Sequence, residues 1–246
     1  MTTNLSISSR LLRRYYPERE KDALCSSFCA HAQPGMNVLD AGCGWVRGCP
    51  LVAPLEKMYI VGIDKDPKVH ENKRCNETII CDLNKPLPLS DNSFDIVHCR
   101  WVIEHLEDPT ITFREFARVL KQGGYLLVLT PNVWHYATIA ARITPYWFHR
   151  YWIGAGEGEV FPAYYRANSR RKLRHLCKDA GLRIKRLDLL EGSPDEYLGR
   201  HWPLLLFGIF YERVVNFTPK LSWMRHSIFL EAEKPSEHFC EQTNVV

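Results

Sequence analysis

The stretch Val38-Leu39-Asp40-Ala41-Gly42-Cys43-Gly44 decides how this chain is read. Asn37, Val38 and Leu39 read as a buried strand, and the two spaced glycines after them let the backbone turn sharply and approach a ligand where a Cβ would collide. The pattern points to a nucleotide-like ligand.

Two features discriminate among nucleotides. A dinucleotide fingerprint needs its third glycine three residues after the second, so that a helix N-terminus can hold a pyrophosphate, but that position is Arg47. Asp40 stands two residues before the first glycine, where a carboxylate repels a diphosphate and attracts a cation. S-adenosylmethionine carries an ammonium and a sulfonium and no phosphate. The charge pattern therefore favours it over NAD as cofactor.

The stretch VLDAGCG, followed by Gly62-Ile63-Asp64 and Phe94-Asp95-Ile96-Val97, resembles the class I S-adenosylmethionine-dependent methyltransferases, with motifs in the family's order from about Asn37 to Asn132. One departure stands out: the usual third glycine, two after Gly44, is Val46, and Gly48 follows late. The resemblance implies a Rossmann-like α/β fold, a doubly wound, mostly parallel seven-stranded sheet whose last strand is antiparallel and inserted beside the fifth. It also implies a crevice lined by Asp40, Gly42, Cys43 and Gly44, by Asp64 on the ribose hydroxyls with Lys65 beside it, and by Cys99 and Arg100 at the end of the fourth strand. The resemblance also implies an adenine contact just past the third strand, with Asp82 accepting from the exocyclic amine while Leu83 packs on the ring.

Composition sets the bounds. With 246 residues, 46% hydrophobic and 24% charged, the chain can bury one substantial core and reads as a single methyltransferase domain, 1–246. A net charge of +4 does not announce nucleic acid, so the expected partner is a small-molecule substrate, with the chain a monomer or homodimer. Nine cysteines without a C-x-x-C pair suit a reducing cytoplasm, and no His/Cys grouping has zinc-site spacing, so no metal is expected. The N-terminus lacks the apolar core of a secretory signal. The longest apolar run, Trp202 to Tyr211, is too short to span a bilayer, which leaves core packing, a peripheral membrane contact, a greasy substrate or a subunit contact open for it.

Along the chain, residues 1–35 read as a helical cap, 36–132 as the cofactor-binding core, 133–167 as a lid insertion, and 168–246 as the second half of the sheet with another insertion at 192–222. Strands are expected at Tyr59 to Asp64, Thr78 to Cys81, Phe94 to Cys99, Tyr125 to Leu129, Leu182 to Leu190 and 226–234, and helices at 7–32, at 110–122 and from Asn168 to Ala180, with Gly123-Gly124 ending the second of these. Pro50 and Pro54 predict a short or irregular helix after the glycine turn. From Val133 to Tyr165 lie ten aromatic residues, with Gly154 to Gly158 as a hinge, an insertion suited either to cap a ring-bearing acceptor or to form an extra mini-core.

Methyl transfer is an in-line displacement, so positioning supplies much of the catalysis, and only a weakly acidic acceptor such as a hydroxyl needs a base. After the fourth strand, His105 could take that proton with Glu104 orienting it or joining it in holding a divalent cation, as the resemblance to quinone-pathway O-methyltransferases suggests, or the pair could pack structurally; His135, after Thr130-Pro131-Asn132, is an alternative base. Cys99-Arg100-Trp101-Val102 stands where base-methylating enzymes carry an Asp/Asn-Pro-Pro-aromatic motif, which counts against nucleobases. The expectation is a methyltransferase acting on the oxygen of a sugar, phenolic or lipid-like acceptor. The alternatives are an inactive binding protein of the same fold and a nucleic-acid methyltransferase.

Overall fold

The computed structural model describes residues 19–45, 57–144, 162–192 and 202–236. The part of the N-terminal helix before Arg19, the region of Val46, Pro50 and Pro54, and the Gly154 to Gly158 hinge lie outside the described residues. The elements are α1 (Arg19–His31), β1 (Asn37–Ala41), β2 (Tyr59–Asp64), β3 (Glu77–Ile80), β4 (Phe94–Arg100), α2 (Pro109–Val119), β5 (Leu120–Pro131), α3 (Tyr136–Ile143), α4 (Arg170–Asp179), β6 (Arg183–Leu190), α5 (Trp202–Phe217) and β7 (Ser227–Glu233).

The strands form one seven-stranded sheet in the order β3-β2-β1-β4-β5-β7-β6. β1 pairs in parallel with β2 on one side and β4 on the other, and β2–β3 and β4–β5 are parallel too. Val38, Leu39, Ile63, Ile96 and Val97 are almost fully buried, as strands covered on both faces require. β7 runs the other way: Gly123 N–H donates to Lys234 O and Lys234 N–H to Gly124 O at one end, while Asn132 N–H donates to His226 O at the other. The order of the strands is thus that of a Rossmann-like sheet whose last strand slots between the fifth and sixth.

Local chemistry explains the helix ends. The Asp108 carboxylate accepts from Thr110 N–H with Pro109 in the first turn of α2, and Ser169 caps α4 through Lys172 N–H. The strand after α2 differs from expectation. The helix stops at Val119, before Gly123-Gly124, because Leu120 turns extended and pairs with Phe94, so that β5 begins five residues earlier and carries both glycines within it. Sheet pairing there overrides helical periodicity.

The chain divides into two compact units. One comprises Ala23–Thr130, Ala163–Asp188 and the chain from Ile228; the other comprises Met1–Asp22, Pro131–Pro162 and Leu189–Ser227. Of the residues read as insertions, 133–162 and 192–222 fall in the same unit and 163–167 in the other. Among the described residues no helix is long and apolar enough to cross a membrane.

Candidate active site

Parallel sheets bind ligands beyond the carboxyl ends of their strands. Here β1 ends at Ala41, and Gly42 (φ +77°) and Gly44 (φ +58°) take the left-handed backbone that follows. Gly42 and Cys43 both donate their N–H groups to Ile63 O on β2, which pins the turn to the neighbouring strand. A Cβ on Gly42 would lie 2.2 Å from Val102 Cγ2, so no other residue fits.

Asp64 completes the turn from the other side. One carboxylate oxygen accepts from Gly44 N–H at 2.9 Å and the other from Asp66 N–H at 2.9 Å. Each oxygen keeps a second lone pair for a ligand. Lys65, next to it, is exposed. Asn72, buried on the loop after β2, donates through Nδ2 to both Cys43 O and Gly44 O.

Asp40 is buried at the end of β1, directly across from His98 of β4 in the ladder, and His98 Nδ1 lies 3.0 Å from Asp40 Oδ1. Beneath the turn, the Cys43 and Cys75 thiols meet over Gly62. Their hydrogen bond and burial push Cys43 well above the usual thiol range, while the same hydrogen bond lowers Cys75.

Asp82 follows β3, and its Oδ1 accepts from both the backbone and the side chain of Asn84, which holds its carboxyl below the usual range. Leu83 is buried beside it, its carbonyl accepting from Thr112. At the end of β4, Cys99 is buried and raised by desolvation, and Arg100 keeps a buried Nε without a hydrogen bond among the described residues. Trp101 then takes a positive φ of 55°, a conformation that costs an aromatic residue energy and that clusters at functional sites.

Glu104 and His105 sit on the single turn Ile103–His105. Glu104 is buried, 3.3 Å through Oε2 from Thr130 Oγ1, which in turn accepts from Asn168 Nδ2 at 2.7 Å. Burial pushes its carboxyl up to about 7. His105 is half-buried, with Nε2 4.0 Å from Glu104 Oε1.

His135 belongs to the other unit. Its Nδ1 accepts from Ala137 N–H as the cap of α3, and its Nε2 lies 3.1 Å from Glu212 Oε1 of α5, both side chains being buried. The cap fixes Nε2–H as the donor to Glu212 and commits both nitrogens to structure.

Asp40, the glycine turn and Asp64 therefore come together on adjacent strand ends, with Asp82, Leu83, Cys99 and Arg100 at the ends of the flanking strands. Sequence reasoning missed His98, Asn72, Thr130 and Asn168. A histidine inside the apolar strand Phe94 to Cys99 was the signal for the first; Asn72 has none, since its role depends on a loop. Lys172, His175 and Leu176 of α4 line a cleft of about 430 Å³ together with Arg166, Glu107 and Asp108. Among the described residues no three His, Cys, Asp or Glu side chains gather as a metal site.

Residues 39–128 match a family model described as a methyltransferase domain. A protein of Mycolicibacterium smegmatis named as a probable S-adenosylmethionine-dependent methyltransferase is 41% identical over 106 residues, 42% of this chain and 41% of that one. The phosphoethanolamine N-methyltransferase of Triticum aestivum is 33% identical over 105 residues, 39% of this chain and 20% of that one. The chain thus covers less than half the length of these relatives. The geranyl diphosphate C-methyltransferase of Streptomyces coelicolor A3(2), solved with Mg2+, geranyl diphosphate and S-adenosyl-L-homocysteine, shares the fold at a TM-score of 0.55 and 15% identity, over 88% of this chain and 78% of that one. Residues 39–128 thus match a methyltransferase domain, and the chain is similar to a protein named as a probable S-adenosylmethionine-dependent methyltransferase.

Proposed function

We propose that the protein is an S-adenosylmethionine-dependent methyltransferase that methylates an oxygen of a small-molecule acceptor. The observation that carries the reading is Asp64, whose two oxygens brace Gly44 and Asp66 while facing the turn that leaves β1. The donor set fits the cofactor: residues 37–45 contain a carboxylate at Asp40 and no Lys or Arg, and a Cβ position on Gly44 meets nothing within 4 Å, which leaves room beside the turn. A cationic ligand suits such a cradle and a diphosphate does not.

In this reading Asp40 attracts the ammonium end, Asp64 accepts the ribose hydroxyls, Asp82 and Leu83 take the adenine, and Cys43, Lys65, Cys99 and Arg100 line the walls. When bound, the cofactor supplies a methyl group on a sulfonium, which an oxygen nucleophile can displace in line. Glu104, with a pKa of about 7, receives the acceptor's proton, held in place by Thr130 and Asn168, and His105 positions the acceptor. Small acceptors agree with the names of the relatives, which include phosphoethanolamine and geranyl diphosphate methyltransferases.

Calorimetric titration with S-adenosylhomocysteine tests the reading. Binding by the wild type together with methyl transfer to hydroxyl-bearing acceptors supports it. Binding without transfer to any of a broad acceptor panel favours an inactive binding protein, and no binding rejects the reading altogether.

A further inference from the structure

The apolar run from Trp202 to Tyr211 lies in α5, and α5 buries only part of it. Leu205, Glu212 and Val215 face inward, and Tyr211 donates its hydroxyl to Met224 O. Leu206, Phe207, Phe210, Val214 and Phe217 recur at helical spacing on the opposite face and are exposed, Phe210 to 67% and Phe217 to 91%. α3 repeats the pattern in the same unit, with Ile139 and Ile143 four residues apart and Ile143 77% exposed. The Tyr136 and Phe207 rings lie 6.0 Å apart, so the two helices adjoin, and the half-exposed Trp134 and Trp223 pack edge to face at 5.8 Å.

So much aromatic and aliphatic surface on one small unit is costly in water and marks an interaction site. The charges choose the occupant. Arg142 stands beside Ile143, Arg213 lies between Phe210 and Phe217, and Lys220 follows on the next turn; all three are exposed. Between Pro131 and Ser227 the two acids among the described residues of this unit are committed elsewhere, Glu191 beside Arg225 at 3.6 Å and Glu212 beside His135. Among the described residues of α3, α5 and the turn after it, the exposed charges are therefore all cations. A second copy seated on the same face would bring like charges together, since a two-fold contact pairs the patch with itself. A surface with an apolar interior and anionic headgroups satisfies both features, with aromatic rings at the boundary and cations among the phosphates.

We infer that the α3–α5 face docks the protein on an anionic lipid surface, lying in its interface rather than spanning it. The inference does not depend on the enzymatic reading.

Co-sedimentation of the full chain with phosphatidylcholine vesicles, with and without phosphatidylglycerol, tests it. The protein should pellet with the anionic vesicles, and added salt should weaken binding. Arg142→Gln, Arg213→Gln and Lys220→Gln should each weaken binding roughly fivefold. Phe210→Ser with Phe217→Ser should weaken it roughly tenfold or more without lowering the melting temperature, because both rings are exposed; Phe217→Ser alone provides a second variant with minimal risk to folding. Failure to pellet with anionic vesicles overturns the inference. So does a dimer in light scattering that Phe217→Ser dissociates, because the face would then belong to a second copy.

Discussion

The buried ring of His98 lies 3.0 Å from the carboxylate of Asp40, on the strand next to it and in the same ladder position. This pairing lets an acid sit at the end of a fully covered strand, since a buried carboxylate without a partner is strongly unfavourable. It also occupies one oxygen, Oδ1, and so orients the other. His98→Phe keeps the bulk and removes the partner. Urea unfolding of that variant should show a loss of about 3 kcal/mol, and its affinity for S-adenosylhomocysteine should fall; unchanged stability would mean that Asp40 does not depend on His98.

Gly62 tests the packing beneath the turn. A Cβ there would lie 2.5 Å from Cys75 Sγ and 2.7 Å from Cys43 Sγ, so Gly62→Ala must displace both thiols. Thermal unfolding should report a loss of about 2 kcal/mol, with weaker cofactor binding because Cys43 is the middle residue of the glycine turn. Adding Cys43→Ala should restore part of both losses. Additive effects of the two substitutions would refute the contact.

Glu104 gives the pH dependence its sign. Burial raises its pKa from 4.5 to about 7, so the folded protein holds this proton more tightly than the unfolded chain does. The stability it contributes is complete below about pH 4.5 and declines by about 3 kcal/mol as the pH rises to about 7. Chemical denaturation across that range should show this decline in the wild type and lose it in Glu104→Gln. If Glu104 is the base, methyl transfer by the wild type should also rise through about pH 7, while Glu104→Gln should bind S-adenosylhomocysteine normally and transfer slowly at every pH. Full transfer by the glutamine variant would remove Glu104 from the proposed chemistry.

What the sequence made legible follows from how local each feature is. The turn Asp40 to Gly44 and the aspartate ending β2 are short-range patterns whose meaning lies in backbone conformation, and both fall where the motif places them. β1, β2 and β4 announced themselves by short apolar runs, Val38-Leu39, Ile60-Val61 and Ile96-Val97. The start of β5 did not, because Leu120 to Gln122 continue a helical pattern, and the strand begins there only because Leu120 pairs with Phe94. Asn72 acts from a loop and is not visible from its neighbours in the chain, whereas His98 shows as a histidine within an apolar strand but its partner Asp40 lies on another strand. His135 shows the reverse: it looked available as a base after the fifth strand, yet Glu212, 77 residues later, takes its second nitrogen. The run from Trp202 was legible as apolar, but only its placement on α5 divides it into a buried and an exposed side.

The central proposition is that two carboxylates on adjacent strand ends receive a positively charged methyl donor. Calorimetric titration of S-adenosylmethionine into the wild type, Asp40→Asn and Asp64→Ala measures it most directly. Wild-type binding with a severe loss in Asp64→Ala and a clear loss in Asp40→Asn is the predicted result. Equal affinity in all three proteins, or NAD binding in place of S-adenosylmethionine, would contradict it.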